Sequence, residues 1–170
     1  MNIIWHGHSC FEITGKDGTI VFDPYQANSV PGLNSLKLKA NLVLCSHEHD
    51  DHNARNCVEV APKDFKVTCI ETYHDHHQGS HRGKNTIHIV DFEDLKVVHM
   101  GDIGCMMDDV SKLKNCDVLM IPIGGYYTID TKEALKYIER IQPRIVIPMH
   151  YCSHEFGYDV LSTNEGFIQK

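Results

Sequence analysis

Short apolar runs recur along this chain, and most of them end in histidine or aspartate. The runs lie at 2–6, 8–14, 19–23, 42–45, 67–73, 86–92, 95–100, 118–122 and 145–148. Their lengths suit strands better than helices, and Lys16-Asp17-Gly18 marks a hairpin that makes the first part antiparallel. Asp23 closes one run, Ser46-His47-Glu48-His49-Asp50-Asp51-His52 follows another, and His74, Gly101-Asp102 and His150 follow three more. In sheets that perform chemistry, ligands gather outside the carboxyl ends of the strands. The pattern therefore calls for a fold in which five strand ends meet at one place.

At 170 residues the chain can bury a core of its own, so a single domain over 1–170 is expected. The clearest helix is 131–141. Asp130 and Glu133 make a capping-box start, Ala134, Leu135, Ile138 and Ile141 form an apolar stripe, and Pro143 follows the stop. Further helices are expected after His52 and after Cys105. The segment 24–39, with Pro31-Gly32 as a turn pair, reads as a surface loop near a site rather than a linker.

Composition narrows the function. Hydrophobic content of 42% and charged content of 23% are ordinary, but thirteen histidines are not. The net charge of -7, with no Lys/Arg-rich block, argues against a nucleic-acid partner. No run of about 18 apolar residues suggests a membrane span, and the first residues lack the basic region of a signal peptide. Seven cysteines, an odd number without a C-x-x-C pair, oppose a disulfide framework or thiolate zinc knot and favour a reduced, cytoplasmic protein.

His47 and His49 are two residues apart, so they point roughly 200° apart on a helix but to one side in an extended segment. One cation can take both only if this stretch is not helical. Asp51 and His52 follow at once and offer a second half-site. Each half is short of ligands, because a catalytic zinc takes about three protein groups and a water. His74 is the nearest third imidazole for the first half, with His76, His77 and His81 as competitors. His150 is the partner for Asp51 and His52, and Asp102 is the carboxylate that could bridge both. These nitrogen and oxygen donors suit zinc first and manganese or iron next.

The order H-x-H-x-D-H at 47–52, a lone histidine, Gly101-Asp102 and a late histidine resembles the metallo-β-lactamase superfamily. The stretches GHSCFEI at 7–13, FDP at 22–24, HRGKN at 81–85, HMGDIG at 99–104 and IPMHY at 147–151 extend the likeness to its small UlaG-like branch, similar to ascorbate-6-phosphate lactonases. The resemblance implies an α/β protein with mixed sheets, the four-layer αβ/βα sandwich of the metallo-β-lactamase fold. It also implies a dinuclear centre at one edge of the packed sheets. Two divalent ions about 3.5 to 4 Å apart would lower the pKa of a shared water toward ~7 and present hydroxide to carbon or phosphorus. Asp51 is then both a ligand and the candidate catalytic carboxylate. Oxygen-handling di-iron relatives carry Glu where this chain has His49, which favours hydrolysis over redox chemistry.

His8, Asp23, His77, His81, Arg82 and Tyr151 are candidates for contacting substrate or supporting the ligands. A separate metal at His6 and His8 is the sharper reading of that pair, but nothing in the sequence completes it. Arg82 and Lys84 either anchor a phosphate or carboxylate or are solvated loop charge. Glu48 and Asp50 are expected to face solvent or to orient neighbours, and Cys45, Cys105 and Cys152 to pack as small hydrophobes. The function expected is hydrolysis of a small anionic ester, lactone or phosphate as the partner molecule. The alternatives are a phosphodiesterase or nuclease of the same superfamily, and a metal-binding or sensor protein without turnover. The sequence leaves homo-oligomerisation open.

Overall fold

Side chains alternate across a strand, so an unbroken apolar run implies that both faces are covered. The computed structural model describes residues 1–169 and covers both faces of two sheets. Strands β1 (Asn2–Gly7), β2 (Cys10–Gly15) and β3 (Gly18–Phe22) form an antiparallel meander, and β4 (Leu38–Ala40) precedes β5 (Leu42–Leu44), which joins β3 in parallel. Next come β6 (Val58–Val60), β7 (Lys66–Tyr73), β8 (Lys84–Phe92), β9 (Leu95–His99), β10 (Val118–Pro122), helix α1 (Thr131–Ile141), β11 (Ile145–Met149) and a single turn, α2 (Glu165–Ile168). The first sheet has the order β1-β2-β3-β5 and the second β11-β10-β9-β8-β7, while β4 and β6 pair separately. In the second sheet β7, β8 and β9 are antiparallel neighbours and β9, β10 and β11 are parallel, so both sheets are mixed.

The alternation sorts the core into three layers of contact. Phe11, Ile13, Ile20 and Phe22 of the first sheet meet Val90, Phe92, Val97, Val118 and Met120 of the second. Their sequence neighbours Ile89, Val98, Leu119 and Ile121 point the other way, onto Ala134, Tyr137 and Ile141 of α1. Cys10, Val21 and Val43 face outward from the first sheet and are covered by Tyr25, Val30, Ala40 and Val58. This is the expected αβ/βα order of layers, with one difference. The cover over the first sheet is the 24–37 loop and the β4/β6 pair instead of a helix.

Helix α1 starts where the capping box places it: Asp130 accepts the Glu133 N–H at 2.9 Å, and Glu133 accepts the Asp130 N–H at 3.1 Å. Its buried face differs from the expected stripe, for Tyr137 is wholly buried while Leu135 and Ile138 are only partly so. Tyr137 can be buried because its hydroxyl accepts the Met107 N–H at 2.8 Å and donates to the Cys105 carbonyl at 2.9 Å. The helices expected after His52 and Cys105 are not formed; only the 3-10 turns Arg55–Cys57 and Ser111–Leu113 appear. The reason is competition for backbone groups. Arg140 takes the carbonyls of Met107 and Asp108 at 2.7 Å each, and the Ala54 N–H goes to the Pro24 carbonyl at 2.7 Å. Asp130→Ala should cost about 1 kcal/mol of stability through loss of the cap, read as a lower urea midpoint with an unchanged slope.

Candidate metal centre

Six strand ends, one more than expected, supply the site. β1, β3 and β5 run in one direction in the first sheet, as do β7, β9 and β11 in the second. His8 follows β1, Asp23 follows β3, the 46–52 segment follows β5, and His74, Asp102 and His150 follow β7, β9 and β11. His8 (φ 52), Asp23 (φ 41) and His150 (φ 52) lie in the left-handed region, which residues with a side chain seldom occupy. Each lies just beyond its strand, and such strain persists where the surroundings fix it. Gly101 (φ 56) is required for a second reason: a Cβ there would lie 2.4 Å from Ser46 Cβ and 2.3 Å from Asn85 Oδ1.

The 46–52 segment is a series of bends and turns, not a helix, as the His47/His49 spacing demands. Its donors join those of the other strand ends in three groups whose atoms lie within 4.8 Å of one another: His47, His49 and His74; His8, Asp51, His52 and His150; and His47, His52 and Asp102. Asp102 ties the groups together. Its Oδ2 is 3.0 Å from His150 Nε2, 3.1 Å from His52 Nε2, 3.4 Å from His74 Nε2 and 4.0 Å from His47 Nε2.

Outer bonds aim these rings. Asp23, wholly buried, accepts the Ser46 N–H and Oγ–H at 2.6 Å each and pairs with His52 Nδ1 at 2.9 Å. With its proton given to Asp23, Ser46 Oγ accepts from His47 Nδ1 at 2.9 Å. Both histidines therefore carry the proton on Nδ1 toward the outer partner and turn Nε2 inward, the arrangement that metal-bound imidazoles use. Asn85 fixes the β9 end, donating to the Met100 carbonyl at 2.9 Å and accepting the Asp102 N–H at 2.8 Å.

The inward atoms pass a simple test for a cation. His47 Nε2 and Asp102 Oδ1 are buried without a hydrogen-bond partner, and each such orphan costs roughly 1 to 3 kcal/mol unless something satisfies it. Burial, and secondarily the charge on His52, lowers the pKa of His47 to about 3; burial and then His150 lower that of His8 to about 4. His74 is lowered by burial too. Neutral imidazoles are the form that binds metal. Burial alone would raise Asp102, but His150 and His52 outweigh it and hold the carboxylate ionised. Burial alone would lower His52, but Asp102 and Asp23 together raise it well above the ordinary imidazole value.

Residues 2–150 match the family model described as a β-lactamase superfamily domain. The chain belongs to the metallo-β-lactamase superfamily. It is 31% identical over 192 residues to a UPF0173 metal-dependent hydrolase of Staphylothermus marinus, spanning 85% of this chain and 81% of the relative. A second UPF0173 metal-dependent hydrolase, from Thermoplasma acidophilum, is 29% identical over 189 residues, spanning 89% and 83%. Among solved structures, a candidate zinc-dependent hydrolase of the superfamily from Thermotoga maritima has a TM-score of 0.76 at 27% identity, over 98% of this chain and 84% of that one. A metallo hydrolase of Ignicoccus hospitalis shares the fold, with a TM-score of 0.68 at 20% identity over 98% and 88%. Within the superfamily this chain is thus a metal-dependent hydrolase.

Of the four histidines competing to join His47 and His49, His74 is the one that does so. His77 and His81 are exposed and pair with each other at 4.3 Å between ring centres, and His76 lies 3.6 Å from Glu133, so these three stand outside the groups. His8 is closer to the centre than expected, with Nε2 3.1 Å from Asp51 Oδ2 and its ring 4.1 Å from that of His150. No second metal pair forms with His6, which turns to Glu12 at 3.0 Å. Tyr151 does not line the pocket over the centre; it is buried against Trp5 and Phe156, at 5.5 and 5.9 Å between ring centres. Glu48 and Asp50 are exposed as expected. Arg82 lines the pocket over the centre, together with Tyr127 and Tyr158, which no sequence motif announced.

Asp23→Asn should weaken metal binding roughly 10- to 100-fold, the usual cost of losing an outer partner, measured by competition with a chelator. Acid should also destabilise the metal-free protein. His8 and His88, at about 4, and His47, at about 3, lie below the ordinary 6.5, chiefly through burial, and His74 and His99 are lowered for the same reason. The unfolded chain then binds more protons, so stability is lost as pH falls from 6.5 toward those lowered values. His52 acts in the opposite sense: its contribution is complete below 6.5 and is lost as pH rises through its raised pKa. Five lowered imidazoles against one raised one should make the urea midpoint fall between pH 7 and about pH 4.5.

Proposed function

We propose that this protein is a dinuclear hydrolase of a small anionic ester, lactone or phosphate compound. The observation that supports it best is that Asp102 Oδ2 lies within 4.0 Å of Nε2 of His47, His52, His74 and His150, members of both histidine groups. Two divalent cations, zinc first and manganese or iron next, would supply a water of lowered pKa and polarise the oxygen of the scissile group. His47, His49 and His74 would hold one cation and Asp51, His52 and His150 the other, with Asp102 near both. Asp51 Oδ2 takes hydrogen bonds from His8 Nε2 at 3.1 Å and the Tyr158 hydroxyl at 3.3 Å. Those bonds fix the carboxylate, whose Oδ2 also lies 3.6 Å from His52 Nε2, where it would help to hold a cation. The pocket above, about 270 Å³ and lined by Arg82, Tyr127 and Tyr158, suits a small molecule. Seven free cysteines support a reducing, cytoplasmic setting, and among the described residues no helix is long and apolar enough to cross a membrane.

Metal analysis together with a panel of esters, lactones and phosphodiesters tests the reading. The wild type should hold two metals per chain and hydrolyse part of the panel. Asp102→Ala should hold fewer and lose more activity than the roughly 10- to 100-fold typical of outer partners. Full metal content and full turnover in that variant would sink the assignment. Two metals with no hydrolysis of any panel member would make the protein a metal binder without turnover.

A further inference from the structure

Arg82 is a cation held in place without a counter-ion. Its guanidinium carbon lies 5.3 Å from the ring centre of Tyr127 and 5.9 Å from that of Tyr126, and it makes no ion pair among the described residues. Its backbone is fixed by Asp75, a buried carboxylate that accepts the N–H groups of His77 (2.7 Å), Gly79 (2.9 Å), His81 (3.0 Å) and Arg82 (2.8 Å). Four such bonds tie residues 75–82 into one closed turn. Asp75 follows His74 directly, so one hydrogen-bonded loop carries an inner ligand at its start and Arg82 at its end. The side chain at that end lines the same pocket as His49, Asp51, His74, Asp102 and His150.

We infer that Arg82 binds a carboxylate or phosphate of the substrate remote from the bond that is hydrolysed. The inference rests on the dinuclear reading. Two divalent ions bring +4, and Asp51 and Asp102 return -2, which leaves the centre at about +2 facing the Arg82 charge. An oxyanion between them relieves that repulsion. The guanidinium carbon lies over the two tyrosine rings, and among the described residues no protein acceptor takes its N–H groups, which leaves them for a bidentate bond. Because Asp75 and the rings already hold the loop and the side chain, little ordering entropy is left to lose on binding. The alternative is a solvated loop charge with no ligand.

Calorimetric titration of the metal-loaded protein with glutarate, 3-phosphonopropionate and acetate separates the two. Acetate can reach only the metals, whereas the other two offer a second oxyanion. Arg82→Ala should lower the affinity ratio of the dianions to acetate by roughly 10- to 100-fold, the scale of a charge-assisted bond. The preference for mono-p-nitrophenyl glutarate over the neutral p-nitrophenyl pentanoate should fall in parallel. Arg82→Lys should recover part of both, since it keeps the charge and loses the fork. Whichever dianion depends more on Arg82 names the group. A ratio unchanged by Arg82→Ala in protein holding two metals overturns this inference alone. Fewer than two metals in the wild type overturns the dinuclear reading and the charge argument built on it.

Discussion

The imidazole of His52 is clamped between two buried carboxylates, with Nδ1 2.9 Å from Asp23 and Nε2 3.1 Å from Asp102. Asp23 stands at the end of β3 in one sheet and Asp102 beyond β9 in the other, so this one ring ties the sheets together at the site. Removing two carboxylates from water costs several kcal/mol each unless charge compensates them. Without metal, the compensation is a proton on His52, whose pKa is raised accordingly. A cation at Nε2 would replace that proton and leave the Nδ1–H bond to Asp23 intact, the outer-partner pattern of metal-bound histidine.

The same constraint accounts for the neighbouring sequence. Asp23 must also satisfy Ser46, whose Oγ orients His47, so a single carboxylate sets both histidines. Gly101 is required where the β9 end passes Ser46, and Asn85 supplies the bonds that this tight passage would otherwise leave unmade. The inter-sheet core of Phe11, Phe22, Phe92 and Met120 fixes the separation of the sheets. His99 marks the junction of core and site, stacking on Phe22 at 5.0 Å while its two nitrogens bond the Ser9 carbonyl and the Gly101 N–H.

What could be read from the sequence was what local rules decide. The strands other than β4 and β6 followed from apolar runs, α1 from its capping box, and the gathering of His47, His49, Asp51, His52, Asp102 and His150 from their order after those runs. What could not be read depends on contacts distant in sequence. The helices expected after His52 and Cys105 gave way because Arg140, Tyr137 and Pro24 claim their backbone groups. Tyr151 looked like a site residue because it follows His150, yet the left-handed turn at His150 sends the next side chain to Trp5. His8 seemed isolated beside His6 because its neighbours, Asp51 and His150, are far along the chain. Tyr127, Tyr158 and Asp75 lie in loops with no periodic signal. The narrower likeness to the lactonase branch rests on sequence motifs alone.

The division between strand ends and loops bears on how substrate choice can vary. Inner ligands project from strand ends braced by buried carboxylates, a rigid support for groups that must sit within a few tenths of an ångström. The pocket rim is built from loops: Arg82 on the Asp75-closed turn, Tyr127 before α1, and Tyr158 near the C-terminal end, anchored to the Ser29 carbonyl at 2.7 Å. Loops tolerate change that strand ends do not. Tyr158 and the Asp75 loop are the exceptions, because each also touches the inner set, through Asp51 and through His74. Substitutions at the rim therefore separate into two kinds. Those at Arg82 or Tyr127 alter what enters the pocket, while those at Asp75 or Tyr158 also loosen a ligand.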